Sequence, residues 1–216
     1  MTLPLPYPDV RGQNDEAVQR NFEKISLEWP SSLFAPGGTV AALPTTGQDG
    51  QVIRFLADST NGVVWSFRYR SASGSSYKWE FLGGPGLTDT AAGSSTRTNT
   101  AYGALGDADG PSVTLPLTGD YDVSFGAQEF SSNTNGQPAY MSVGTSAPAD
   151  DASAVMVYNY NATGANRDDV TVSVCRTVRL TGLAASGVLA AYYRAGTGAT
   201  VQAKYRWLSV IPVRVG

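Results

Sequence analysis

Between Gln51 and Leu82 the chain reads QVIRFLADSTNGVVWSFRYRSASGSSYKWEFL, and the placement of its aromatics narrows the folds open to it. Strand side chains point alternately to two faces. Val63, Trp65, Phe67 and Tyr69 therefore share one face of a strand, with Val64, Ser66, Arg68 and Arg70 on the other. A further strand repeats the pattern, setting Tyr77, Trp79 and Phe81 against Lys78 and Glu80. Asn61-Gly62 lies between two alternating runs and predicts a type I′ hairpin, whose two turn residues need positive φ. Three strands are only marginally stable by themselves. The aromatic face must be covered, either by the rest of the chain or by another subunit.

The remainder reads as mostly β. Ser112–Leu117, Tyr121–Gln128, Ala139–Gly144, Ala154–Tyr160, Val170–Leu180, Gly187–Arg194 and Thr200–Val215 are predicted strands between turn signals. With a Thr-rich edge strand before Tyr102 they make about eight, the number of a jelly roll of two packed sheets. In the last strand Val201, Ala203, Tyr205, Trp207, Ser209, Ile211, Val213 and Val215 share a face, opposed by Gln202, Lys204 and Arg206. Pro212 cannot donate to a ladder, so the strand lies at an edge or a bulge there.

Two N-terminal elements differ from this pattern. Pro4, Pro6 and Pro8 alternate with Leu3, Leu5 and Tyr7 in an extended arm that cannot bury itself. It is read as lying along a neighbouring surface rather than trailing as a tail. Asn14 caps a predicted helix over Asn14–Ser26, with Asp15 and Glu16 at its positive end. Val18, Phe22, Ile25 and Trp29 form one apolar stripe, and Pro30 stops the run. The stripe packs either on the sheet or around a symmetry axis with its copies. GGPGLTDTAAGSSTRTNTA, from Gly83 to Ala101, carries little to bury. A domain boundary is expected near Gly86, giving residues 1–86 (arm, helix and meander) and 87–216 (sandwich).

Charge and chemistry limit function further. Charged residues are 15% of the 216, and the net charge is −3. The charged fraction is below the usual value of about 25%. Residues through Gly86 hold eight acidic and seven basic side chains, the rest ten and eight, so no basic stripe awaits phosphates and no nucleic-acid partner is expected. No segment approaches the ~20 apolar residues of a membrane span, and the N-terminus lacks the pattern of a secretory signal. The single Cys175, among Val172, Val174 and Val178, is expected to be a small buried hydrophobe in a protein made in a reducing cytosol.

The chain has no histidine, which removes Ser-His, Cys-His and His-metal arrangements. Carboxylates remain. Asp150-Asp151 and Asp168-Asp169 flank strands, and a carboxylate pair can serve glycoside hydrolysis. Adjacent Asp residues in turns are more often solvated turn-formers. Asp107-Ala108-Asp109-Gly110 opens like a calcium loop, but its twelfth position is Thr118 rather than Glu. Gly83-Gly84-Pro85-Gly86 lacks the spacing of a phosphate loop. Tyr158, Tyr160, Tyr192 and Tyr193 either stack on sugars in a loop-end pocket or pack in the sandwich or along a subunit contact. No catalytic residue, cofactor or metal ligand is expected.

VRGQNDEAVQRNFEKI and DGQVIRFLADSTNGVVWSFRYRSASGSSYKWEFLGGPGL resemble the N-terminal modules of minor structural proteins of tailed actinobacteriophages. PSVTLPLTGDYDVSFGA, VCRTVRLTGLAASGVLAAYYRAG and YRWLSVIPVRV resemble the trimeric jelly-roll heads of viral fibres and tumour-necrosis-factor-like proteins. The resemblance implies a non-enzymatic homotrimer on the virion surface: a minor tail protein or fibre, or a head fibre or capsid decoration. Its partners would be tail or major capsid protein, and it would be made in the bacterial cytoplasm. On this reading Leu3, Leu5, Tyr7, Val18, Phe22, Ile25, Trp29, Trp65, Phe67 and Trp79 make the virion or trimer contacts. Two alternatives stay open: a carbohydrate-binding head that attaches to host glycan, and a glycan-degrading enzyme using Asp150, Asp151, Asp168 or Asp169.

Overall fold

The computed structural model describes residues 39–105, 110–159 and 171–216. The predicted arm at Leu3–Tyr7 and the helix at Asn14–Ser26 lie outside them. Among the described residues the chain is mostly β and contains no helix. Its strands are β1 (Val52–Asp58), β2 (Val63–Tyr69), β3 (Trp79–Gly83), β4 (Leu87–Ala91), β5 (Ser95–Arg97), β6 (Ser112–Thr114), β7 (Gly119–Ser132), β8 (Gln137–Gly144), β9 (Val155–Asn159), β10 (Val172–Leu183), β11 (Val188–Ala195) and β12 (Val201–Val215).

They form two antiparallel sheets. The larger runs β1-β2-β3-β12-β7-β10, with β4 and β5 also on β12; the smaller runs β6-β11-β8-β9. β12 is the spine of the larger sheet. One flank pairs with β7 along its whole length, and the other takes β5, β4 and β3 in turn. Pro212 stands in the gap between the β4 and β3 pairings and beside a register shift against β7, where its missing N–H costs no ladder bond. The expected boundary near Gly86 falls between β3 and β4, two strands that both pair with β12.

The aromatic meander forms as β1, β2 and β3. Its first turn differs from the expected two-residue one. Asp58 pairs with Val63 across a four-residue loop, and Gly62 (φ 66°) has positive φ while Asn61 does not. The Asp58 carboxylate accepts from the Thr60 and Asn61 backbone N–H groups and from Asn61 Nδ2, so Asn61 serves as a side-chain donor.

Trp65 and Phe67 are 0% exposed and Trp79 is 1% exposed. The cover comes from within the chain. Trp65 meets Phe81 edge-on at 6.3 Å and Tyr121 of β7 at 6.5 Å, and Tyr69 meets Trp79 at 5.1 Å. The indole N–H groups of Trp65 and Trp79 donate to Pro85 and Pro44 carbonyls, each at 2.8 Å. These three side chains are core, closed to contact with another copy, because β3 joins β12 and turns the aromatic face onto β7. The same core holds Val123, Phe125, Leu208 and Val210 of the large sheet and Met141, Val143, Leu189 and Tyr193 of the small one.

Two further expectations are corrected. Arg206 was assigned to a polar face but is 1% exposed. Tyr205 adopts φ 50°, and this left-handed residue inverts the alternation of β12: Val201 and Ala203 point inward before it, Arg206, Leu208 and Val210 after it. The buried guanidinium faces the Tyr193 hydroxyl and donates from Nη2 to Gly93 O at 3.2 Å. Cys175 is exposed rather than buried. Among the described residues β10 pairs only with β7, and Cys175 stands opposite Gly126 on the outer side of that edge. A Cβ at Gly126 would lie 2.3 Å from the Val174 carbonyl oxygen and 3.0 Å from Cε2 and Cζ2 of Trp207, so a glycine is needed between the β10 backbone and the indole on this outer face.

Candidate functional site

The described residue types with most chemical potential meet on the outer side of the small sheet. β11 carries Arg194 there, opposite Tyr140 of β8, which in turn faces Met156 of β9. The segment between β5 and β6 extends the same edge of β11 that β6 pairs with: Gly103 and Tyr193 exchange backbone hydrogen bonds, and Ala195 N donates to Asn99 O. Arg97 folds this loop by donating to the Ala101 and Ala104 carbonyls. The loop delivers Tyr102 to Arg194.

Asp151 arrives from the β8–β9 connection. Ala152 N donates to the Asp150 carboxylate and Ala154 N to Asp151 O, which fixes the turn. From the other sheet, Arg176 donates to the Ala152 and Ala154 carbonyls. Arg194 then grips Asp151 with two nitrogens, Nε to Oδ1 at 2.7 Å and Nη2 to Oδ2. The Tyr102 hydroxyl donates to Asp151 Oδ1 at 2.6 Å. The guanidinium carbon stands 3.9 Å from the Tyr140 ring centre and 5.5 Å from that of Tyr102, within cation–π range.

The electrostatics follow from these contacts. The Arg194 hydrogen bond holds the Asp151 carboxyl below its ordinary value, with Tyr102 adding to the effect. Burial raises the Tyr102 hydroxyl, and its bond to Asp151 raises it further. Asp151 holds Arg194 firmly protonated. A general acid in glycoside hydrolysis needs a raised carboxyl pKa. Asp151 has the opposite shift, and both its oxygens are engaged. The cluster is a clamp joining two loops and a strand, and beside it opens a notch of 370 Å³ bordered by Thr100, Asp150 and Pro148.

A second groove, of 890 Å³, runs between the β1–β2 loop, β4 and β6. Its two carboxylates are committed locally, Asp58 to its own turn and Asp89 to Thr90 N and Ser112 N.

The predicted tyrosines separate. Tyr158 is half-exposed on the outer side of β9, and its hydroxyl donates to Gly136 O at 2.7 Å. Tyr192 lies on the same sheet face as Tyr140, whereas Tyr193 is core. Tyr160, Asp107, Asp109, Asp168 and Asp169 lie outside the described residues, as do Leu3, Leu5, Tyr7, Val18, Phe22, Ile25 and Trp29. Thr118, twelfth in the calcium-like stretch, accepts from Ala185 N. No group of three or more His, Cys, Asp or Glu fit to hold a metal occurs among the described residues. Sequence reading missed Arg194, Tyr102 and Tyr140, which alternation alone does not bring together across three segments. Compared with known proteins, the chain matches no family model and no curated protein.

Proposed function

We propose that this chain is a non-enzymatic structural component of a bacteriophage virion, a homotrimer exposed as a minor tail protein, fibre or capsid decoration. One observation carries the reading. Consecutive strands change sheets at β6–β7, β7–β8, β9–β10, β10–β11 and β11–β12, while β8–β9 stays within one sheet. Such alternation between two antiparallel sheets is how a jelly roll is wound. It supports the jelly-roll reading of residues 87–216, and with it the likeness of these segments to trimeric fibre heads. The engaged, low-pKa Asp151 supports a role without hydrolysis.

In this reading residues 1–86 attach the protein to tail or major capsid protein and the remainder projects. Leu3, Leu5, Tyr7, Val18, Phe22, Ile25 and Trp29 supply the attachment and trimer contacts. Threefold symmetry lets each copy cover apolar side chains of the next. Light scattering of the purified protein should return three times the 22.7 kDa chain mass. An antibody raised against it should decorate intact particles, and deletion of residues 1–30 should leave a folded body that no longer joins them. A monomer absent from particles would end this reading.

A further inference from the structure

We infer that the outer face of the small sheet, from Tyr158 across Tyr140 to the notch beside Arg194, binds an uncharged glycan. Tyr158 is 50% exposed and Met156 52% exposed, in a protein whose other described aromatics mostly sit in the core. The Tyr158 ring does not swing freely, because its hydroxyl is fastened to Gly136 O. A fixed ring with open surface can stack on a sugar without first losing rotational freedom.

Pro138 stands opposite Tyr158, and Tyr140 opposite Met156 and Arg194, so the three strands set these side chains side by side. Adjacent strands lie about 4.8 Å apart, which makes the path from β9 to β11 roughly 10 Å long, room for two sugar rings. At its far end the 370 Å³ notch offers the Asp150 carboxylate and the Thr100 hydroxyl to hydroxyl groups. Apolar surface for the ring faces and oxygens for the hydroxyls, joined in one path, suit a carbohydrate.

Charge narrows the class. Arg194 and Asp151 neutralise one another in a two-pronged pair, and Arg97 beside them is spent on the Ala101 and Ala104 carbonyls, so the described residues of this face present no free cation for a phosphate or carboxylate. Asp150 keeps an acceptor that repels anionic polymers and welcomes neutral hydroxyls. A protein partner would ask for a broad apolar centre, and here the exposed apolar surface between β9 and the notch comes down to Met156 and the Tyr158 ring, with exposed Val188 set apart at the start of β11.

The test uses the purified full-length chain and three probes, laminarin, yeast mannan and chitohexaose, titrated on a biosensor. At least one should bind. Tyr158→Ala should weaken that binding about tenfold or more, as expected for loss of one aromatic platform. Tyr158→Phe should stay within about threefold of the parent, because the ring remains. Asp150→Ala should weaken binding severalfold. Unchanged thermal unfolding of the variants shows that the face rather than the fold was altered. Absence of binding to all three probes, or binding indifferent to Tyr158→Ala, overturns the inference. Light scattering and particle labelling read the virion proposal separately, so either idea can fail alone.

Discussion

Trp65 and Tyr158 both stand on short strands with alternating side chains, yet the first is fully buried and the second half-exposed. Around Trp65 the neighbours are Phe55, Phe67, Phe81 and Tyr121, and the indole N–H is spent on an internal carbonyl. Around the outer face of the small sheet the aromatics keep company with Arg194, Asp151 and Asp150. Alternation marks a face; it does not say what covers that face. The meander is covered because β3 docks on β12, whereas the outer side of the small sheet has no third layer among the described residues.

The sharpest way to break this comparison is to empty each face. Trp65→Ala should cost about 3–5 kcal/mol in urea unfolding, as a large core ring is lost and a cavity left. Tyr158→Ala should barely move the same curve. Comparable losses at the two sites would show that the outer face is as structural as the core.

Next in size is the clamp. Asp151→Asn should cost about 1–2 kcal/mol near pH 7, a value reduced because both partners are partly exposed. The pH dependence gives an independent reading. Asp151 is held below its ordinary 3.8, so the folded state favours the ionised form. Its contribution is whole above that ordinary value and disappears as pH falls through the lower folded value. The gap between parent and variant should therefore close in acid. A gap that stays constant down to pH 2 would assign the loss to packing rather than charge.

The smallest expected effect concerns Cys175. Its exposed thiol should react with a disulfide reagent in the native protein at nearly the rate of the unfolded chain. Cys175→Ser should shift stability by no more than about 0.5 kcal/mol. Slow, denaturant-dependent labelling would return the thiol to the interior.

Much of the architecture was legible in the sequence, and particular residues explain where legibility stopped. Turn signals and alternation located the strands after Tyr102 closely, and Pro212 correctly marked a discontinuity in β12. The inward turn of Arg206 could not be read, because a non-glycine residue with positive φ inverts the strand without altering the sequence pattern. Cys175 was misread for a related reason: valines on both sides describe an edge strand with one half-covered face as well as a central one. The clamp was hidden because Tyr102, Asp151 and Arg194 are distant in sequence and meet through backbone pairing. Only Asp151 carried a local signal, as half of an acidic turn.

The pairing of β12 has a consequence in time. Every strand it joins, from β3 to β7, precedes it in the chain, and Val215 meets Trp79 only after all the intervening residues exist. Until β12 emerges from the ribosome, β3, β4, β5 and β7 have no common partner, and the aromatic face of the meander waits beside open strand edges. Such long-range closure is slow and exposes sticky intermediates. Translation that stops short of residue 201 should therefore release aggregating chains rather than a smaller folded protein, and a chaperone would be needed most in the interval before β12 is made.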